Sequence, residues 1–551
     1  MQTMKNNFSV NHIWRHIGLI FFATLLMHGM VLLNNGVFWD GWIAYNFYLE
    51  QNYHMLRLIS FSMGVPFFYY INRALMFLGY HSVCNLLGFF SIFIVGVCLY
   101  LSLIKFKQIS LSIALLAGLV VVIFPGSQLT FFRAVSPYYF SYAIFFIAVY
   151  LGLTSETVHR RWPRYFLRIL SLCCFLMSFS LKSLLSYYSI FFVGLYFLAA
   201  QEVDRQAFSL PFLFSFLLRK LDFILLPFAF YFLSKGFFST YWEYAQYNHL
   251  HWRGLHWFVH MFSLSLHHVF FRFLATPLLV GLFIAIVIWL KNRCCKKKMT
   301  NLDFLLPEVD ISSRMPYVIL FCVGLFALCM SVLPYILVDK PPIHFFLPAS
   351  RYALLVPSAA ALIIAGFFGV FFKTAKETIS LIGKCFFLCL FIFSFSFWLH
   401  TYLKLTAETA LQKSFISWVK DHPEWKKYSL FWINAHFKHI QPAYAHYTWA
   451  NIINYVYKDH AHYGYSDQRP ENFPALKKSF APVIRQGYNI KNFNVNGHQA
   501  TMDIFPNLYG HNQTSIAFQY LYYRFIHPSS LPNFMRGLIM VTVKPYFQNA
   551  G

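Results

Sequence analysis

The sequence predicts a mainly α, polytopic transmembrane helical bundle of about eleven spans, followed by a small C-terminal extracytoplasmic α+β domain. Of 551 residues, 58% are hydrophobic and 11% are charged, and the mean hydropathy is +0.52, which excludes an ordinary soluble domain. The apolar residues gather into runs long enough, or nearly so, to cross a bilayer. After residue 402 the character changes to a polar, aromatic tail with fifteen Lys and Arg against seven Asp and Glu. The formal net charge of +25 does not point to nucleic acid, because the cations lie mainly between the apolar runs and in that tail.

The apolar runs fall at residues 16–34, 83–104, 110–125, 137–154, 165–181, 184–200, 221–234, 262–290, 316–338, 351–372 and 384–402. The first follows Lys5 and Arg15 and lacks a small-residue cleavage site, so it is expected to be a retained signal anchor. Residues 60–80 are apolar but contain Pro66, Asn72 and Arg73, and are expected as a helix lying in the interface. Parity agrees, since one more span would put the basic run from Arg293 to Lys298 on the side of Asp40, against the positive-inside rule. With the amino terminus inside, twenty cations from Lys5 to Lys384 are cytoplasmic, nine lie outside or in the adjoining helices, and residues 403–551 lie outside.

In the tail, helical patterning at 408–419 and 445–457 gives way to strand-like runs at 499–504 and 537–544. The domains expected are thus 1–402, transmembrane and catalytic, and 403–551, extracytoplasmic. The ten cysteines include none after Cys389, and the adjacent pairs Cys173-Cys174 and Cys294-Cys295 lack the spacing of a zinc site.

The stretch 34–45, NNGVFWDGWIAY, carries the first candidate for chemistry. It begins where the first apolar run ends and sets Asp40 between Trp39 and Trp42. Indole prefers the headgroup level, and a carboxylate there needs water or a partner. Of twelve acids before the tail, only Asp40, Glu50, Glu243 and Asp339 fall on the outer side; they face Arg57, Arg73, Arg133, Lys182, Lys235, Arg253, Arg272, Lys340 and Arg351. One or two carboxylates among several cations suit transfer from an anionic leaving group such as a phosphate.

Several short motifs follow the same order along the chain. An acid just after the first span is followed by Gly64-Val65-Pro66, then by Leu78-Gly79-Tyr80-His81-Ser82 leading into the next span. Phe179-Ser180-Leu181-Lys182-Ser183 stands at the outer end of a span, and Ser350-Arg351-Tyr352 opens a late one. In these features roughly the first 400 residues resemble the GT-C glycosyltransferases, the superfamily of protein O-mannosyltransferases, lipid A aminoarabinose transferases and oligosaccharyltransferases. Two positions depart from that pattern: Gly41 stands where many relatives carry a second acid, and Ser183 where the lysine is often followed by one. One carboxylate is a poor cage for Mg²⁺ or Mn²⁺, so no metal or other cofactor is assigned.

The resemblance implies a polyprenyl-phosphate-linked sugar as donor, its lipid among the spans, and a lipid, glycan or protein hydroxyl as acceptor. Asp40 would be the base, against a plain helix N-cap. Lys182 and Arg351 would bind the donor phosphate, against a snorkelling lysine and an interfacial anchor. Arg133 and Arg253 are further phosphate candidates. Trp39, Trp42 and Tyr352 are candidates for substrate contact.

The loop 241–260 packs four histidines, three tryptophans, Glu243 and Arg253 into twenty residues. Its Glu243, His249, His251 and Trp252 offer the aromatic faces and hydrogen-bonding edges that sugar recognition needs, with an amphipathic interfacial helix as the alternative. His249 and His251 do not share a helical face, which argues against a metal pair. His344 is a further candidate to close the same site.

The expected function is therefore inverting glycosyl transfer at the outer face of a bacterial-type inner membrane. The bacterial setting rests on the missing disulfide framework and a single sequon in the outward domain, at Asn512. Two other readings compete. A transporter or flippase of lipid-linked sugars would place ionisable groups near the bilayer midplane, and an O-antigen ligase or polymerase would depend on outer Arg and His instead of Asp40.

Overall fold

The structure, a computed structural model, describes residues 10–38, 40–126, 130, 132–201, 209–241, 253–294, 314–340, 349–372, 377–436, 446–459, 461–465, 497–507 and 512–546. These residues are mostly helical, with a four-stranded sheet near the carboxy end.

Seven helical segments among the described residues are long and apolar enough to cross a membrane: Asn11–Leu33, Ser82–Leu103, Arg133–Thr157, Ser183–Ala200, Met315–Leu337, Ser350–Val370 and Leu381–Asp421. Each coincides with one of the expected apolar runs. They contain helices α1 (Val10–His28), α5 (Tyr80–Leu103), α7 (Ser136–Thr157), α9 (Ser183–Ala200), α14 (Met315–Leu337), α15 (Val356–Phe372) and α16 (Glu377–Asp421).

The other four runs are helical but do not meet that standard. Helix α6 (Leu111–Ile123) has 13 residues, and α11 (Leu221–Phe237) has 17 with Pro227 inside it. Helix α8 (Arg161–Ser178) opens on Arg161, Arg164 and Arg168, which lower its hydropathy. The run at 262–290 is divided between α12 (Leu255–Val269) and α13 (Ala275–Cys294) by a π-helical turn, Phe270–Leu274. Helix α6 is nonetheless deep in the bundle, and its Gly118 lies against Gly96 of α5. A Cβ at Gly118 would come within 3.0 Å of the Gly96 carbonyl, so only small residues allow this approach.

The segment 60–80 is two short helices, α3 (Tyr53–Ser62) and α4 (Pro66–Phe77), instead of the single interfacial helix expected. The break falls at Gly64, whose φ of +69° favours glycine and whose Cβ would meet the Phe238 carbonyl at 2.8 Å. Before them, α2 (Gly41–Leu49) follows directly on the loop that carries Asp40. Helix α10 (Leu210–Arg219) precedes α11.

Polar contacts sort the helix ends. Glu156 near the end of α7 pairs with Lys220, and Arg168 of α8 donates from Nε to Oδ2 of Asp222 in α11 at 2.6 Å. The Ser110 amide before α6 donates to the Tyr317 hydroxyl at the start of α14 at 3.2 Å. These ends therefore lie together, and the ends of α1, α6, α8 and α14 that follow, with the starts of α7, α9 and α15, lie at the other end, the one bearing Asp40.

Helix α16 decides how the two parts of the chain are joined. Its 45 residues rise about 68 Å, roughly twice a hydrocarbon core of about 30 Å, and it runs unbroken through residues 402 and 403. Its first half belongs to the bundle: His28 of α1 bonds through Nδ1 to the Tyr402 hydroxyl at 2.6 Å and through Nε2 to the Val122 carbonyl of α6 at 2.9 Å. In its second half Leu403, Ala407, Leu411, Phe415 and Val419, at helical spacing, form the core of the C-terminal domain. The helix expected at 408–419 is thus the continuation of the last span.

In the C-terminal domain the strand order is β2-β1-β3-β4. Strand β1 (Leu430–Ala435) runs parallel to β2 (Tyr463–Tyr465) and to β3 (Gln499–Pro506), with Leu430 opposite Gln499; β4 (Ile539–Pro545) is antiparallel to β3. Strands β3 and β4 and helix α17 (His446–Tyr457) fall on the expected runs. Strand β1 escaped the alternation rule because its first four residues are all buried. Helices α18 (Gln513–Phe525) and α19 (Leu531–Leu538) pack on α16.

Candidate functional site

The loop from Leu33 to Asp40 is held from three sides. Asn85 of α5 donates from Nδ2 to the Asn34 carbonyl at 2.7 Å, and Arg524 of α18 donates to the Leu33 carbonyl at 2.6 Å. The Tyr520 hydroxyl donates to Asn35 Oδ1 at 2.8 Å. Gly36 fits only because it lacks a side chain, for a Cβ there would fall 2.2 Å from Thr409 Oγ1 on α16. The Phe38 ring then lies 5.3 Å from that of Phe132, next to Arg133.

Asp40 occupies the N-cap position of α2, as the alternative reading supposed, but its side chain makes no capping hydrogen bond and its backbone is αR instead of extended. The carboxylate, partly exposed, is thus not engaged in capping. The short turn Arg133–Val135 packs on α2. Arg133 is 1% exposed, the largest of the fully buried side chains described. It lies in electrostatic range of Tyr45, Tyr80 and Cys84. Burial and the neighbouring Tyr455 raise the Tyr45 phenol above its ordinary pKa, and Arg133 pulls it the other way.

A second cation reaches this place from the tail helix. Lys413, half-buried on α16, lies in electrostatic range of Arg524 and Arg133, and its Nζ stands 5.6 Å over the Tyr520 ring. Lys413 and Arg524 were not among the expected site residues, and Tyr45 and Tyr80, though inside the 34–45 stretch and the 78–82 motif, carried no assigned role. Nothing local marks Lys413, since the polar positions of an amphipathic helix are ordinarily solvated; only the packing of α16 against the 33–40 loop turns it inward.

Lys182 and Arg351 are brought toward one another by α9, α14 and the turn before α15. The Lys182 ammonium lies 3.7 Å from where a Gly64 Cβ would be, joining the Gly64-Val65-Pro66 motif to the start of α9, and loss of hydration there lowers its pKa. Ser183 adjoins Tyr335 of α14. The Tyr335 ring is 4.9 Å from that of Tyr352, whose hydroxyl accepts from Arg351 Nη2 at 2.8 Å. This group connects to the first, because Gly126, in the loop leading to Arg133, packs on Pro357 and faces the Ala353 carbonyl.

Two candidates are engaged elsewhere. Arg253 forms an ion pair with Asp339 and stacks over Trp257 at 5.6 Å. Trp42 is buried in the core of the C-terminal domain, 5.7 Å from the Tyr455 ring. Trp39, Glu243, His249, His251, Trp252 and His344 lie outside the described residues. Among the described residues no group of three His, Cys, Asp or Glu could hold a metal ion, and Cys84, Cys98, Cys173, Cys174, Cys322, Cys329, Cys385 and Cys389 are free thiols.

Chemically, this end of the bundle sets Asp40 among cations contributed by several separate elements, on low-dielectric walls rich in tyrosine. Such a place favours an anionic group flanked by apolar and aromatic surface. Comparison of the chain with protein-family models, with curated proteins and with solved structures finds no match.

Proposed function

We propose that the chain is an integral membrane glycosyltransferase of the GT-C type, moving a sugar from a polyprenyl-phosphate donor to a lipid, glycan or protein hydroxyl. The observation that carries this reading is the placement of Asp40, Arg133, Lys413, Lys182 and Arg351 at the same end of an apolar bundle. In this reaction the acceptor oxygen bonds to the anomeric carbon as the bond from that carbon to the phosphate oxygen breaks. Asp40 takes the acceptor proton, and the phosphate leaves with the electron pair, stabilised by the cations. Attack opposite the leaving phosphate inverts the anomeric centre.

The proposal includes the topology. Adding α6, α8, α11 and the α12–α13 pair to the seven apolar segments makes eleven crossings, with Asp40 and the C-terminal domain on the outer side of a bacterial-type inner membrane. The alternation of helix ends and the concentration of cations at the far end favour this. Bound membrane lipids are expected partners.

The deciding experiment compares Asp40→Asn with wild type, at matched membrane expression, for release of polyprenyl phosphate from a radiolabelled polyprenyl-phosphate sugar. Loss of turnover with donor binding retained is expected. Wild-type turnover would remove Asp40 from the reaction; if Arg substitutions alone abolished it, the ligase or polymerase reading would take its place.

A further inference from the structure

A substantial cavity lies away from the site just described. It encloses about 840 Å³ between α5, α7, α9, α14 and α15 and is predominantly apolar. Phe106, Gln108, Gln201 and Pro316 bound it at one extreme, and Tyr187 and Ser358, whose hydroxyls are 2.6 Å apart, at the other. Phe106 and Gln108 lie in the turn before α6, Gln201 ends α9 and Pro316 begins α14, so this mouth is at the end of the bundle opposite Asp40. From Tyr187 to Gln201 along α9 the cavity runs about 21 Å, more than the roughly 15 Å of one leaflet's hydrocarbon.

Three features describe the occupant. The lining is apolar over a length that accommodates a whole lipid chain. Cations neighbour the residues of the mouth along the chain: Lys105 and Lys107 flank the lining residue Phe106, and Arg314 precedes Pro316 by two positions. The middle is open at Gly194, where a Cβ would meet only ordinary contacts, Phe106 at 3.8 Å and Leu153 at 3.9 Å. We propose that this cavity binds an anionic phospholipid of the leaflet opposite Asp40, its hydrocarbon in the shaft and its phosphate held by Lys105, Lys107 and Arg314. This site is separate from any donor site at the Asp40 end and does not depend on the glycosyltransferase reading.

The test uses full-length protein in phosphatidylcholine nanodiscs doped with phosphatidylglycerol carrying a diazirine in its acyl chain. Photolabelling is expected within 99–109, 190–201 and 316–323. Gly194→Phe, which fills the shaft, is expected to reduce that labelling at least five-fold while the protein remains monodisperse. The triple variant Lys105→Gln, Lys107→Gln, Arg314→Gln leaves the shaft open and is expected to erase the preference for phosphatidylglycerol over an equivalent phosphatidylcholine probe. Labelling confined to the outer faces of the helices, or unchanged by Gly194→Phe, would overturn the proposal. So would displacement of the probe by equimolar polyprenyl phosphate and not by unlabelled phosphatidylglycerol, which would make the shaft a donor-lipid site.

Discussion

Asn46 of α2 donates from Nδ2 to the Oδ1 of Asn451 in α17 at 2.8 Å, and to the Asn451 carbonyl at 3.2 Å, across 405 residues of sequence. Both side chains are buried. The loop that presents Asp40 is therefore fastened to the C-terminal domain as well as to the bundle.

Removing one partner leaves the other's polar groups buried without their bond, at about 1–3 kcal/mol. Asn46→Leu and Asn451→Leu are each expected to lower the thermal unfolding midpoint in detergent. The double variant is expected to cost less than the sum, with a coupling of about 0.5–3 kcal/mol. Strict additivity would show that the bond does not contribute.

Gly36→Ala forces a methyl group against Thr409 Oγ1 and the Phe38 ring. Overpacking of this kind costs about 1–3 kcal/mol. The expected result is a lowered unfolding midpoint together with lost turnover, because the same shift displaces Asp40. Adding Thr409→Ala is expected to recover part of both. A Gly36→Ala protein with wild-type midpoint and turnover would contradict the close approach of the loop to α16.

Arg133 is buried and Lys413 half-buried, so their contributions to anion binding differ. Arg133→Gln is expected to weaken binding of the polyprenyl-phosphate sugar by about 30-fold or more, the equivalent of about 2 kcal/mol for a desolvated charge. Lys413→Gln is expected to weaken it several-fold, with greater sensitivity to salt. Arg133→Lys, which keeps the charge, separates loss of binding from loss of folding. Calorimetry of donor binding in detergent at two ionic strengths reads all three.

Asp459 lies between His462, at 3.2 Å, and Lys426, at 3.3 Å. Its partial burial opposes ionisation, but the hydrogen bonds and charges of His462, the Ala461 amide and Lys426 outweigh it and hold the carboxyl below its ordinary value. A depressed folded pKa stabilises the fold above the unfolded value, about 3.9, and that contribution is lost as pH falls through the folded value. The C-terminal domain is expected to lose stability below about pH 4, measured by tryptophan fluorescence on denaturation. Asp459→Asn is expected to flatten the acid limb; an unchanged limb would assign it to other carboxylates.

Much of the fold was legible because its physical cause is local. Apolar runs such as 83–104 and 316–338 are visible as composition, and period-two alternation exposes β3, since each depends only on which solvent a face meets. The weak spans show where this stops. Helix α6 is short but becomes a central helix through the Gly96–Gly118 approach, and the 262–290 run conceals a π turn that hydropathy does not register.

For the site, the order of residues along the chain supplies the chemical inventory: Asp40 just after the first apolar run, and a few acids and several Lys and Arg at the boundaries of the later runs. Which of them meet is set by packing between elements distant in sequence. Arg253 is paired with Asp339, Trp42 is taken into a core, and Lys413, far along the chain on α16, is brought within electrostatic range of Arg133. The physical reason is that a helix face is chosen by what it packs against. Helix α16 has one end in the bundle and one in the domain, and no local pattern along it says which side turns toward the 33–40 loop.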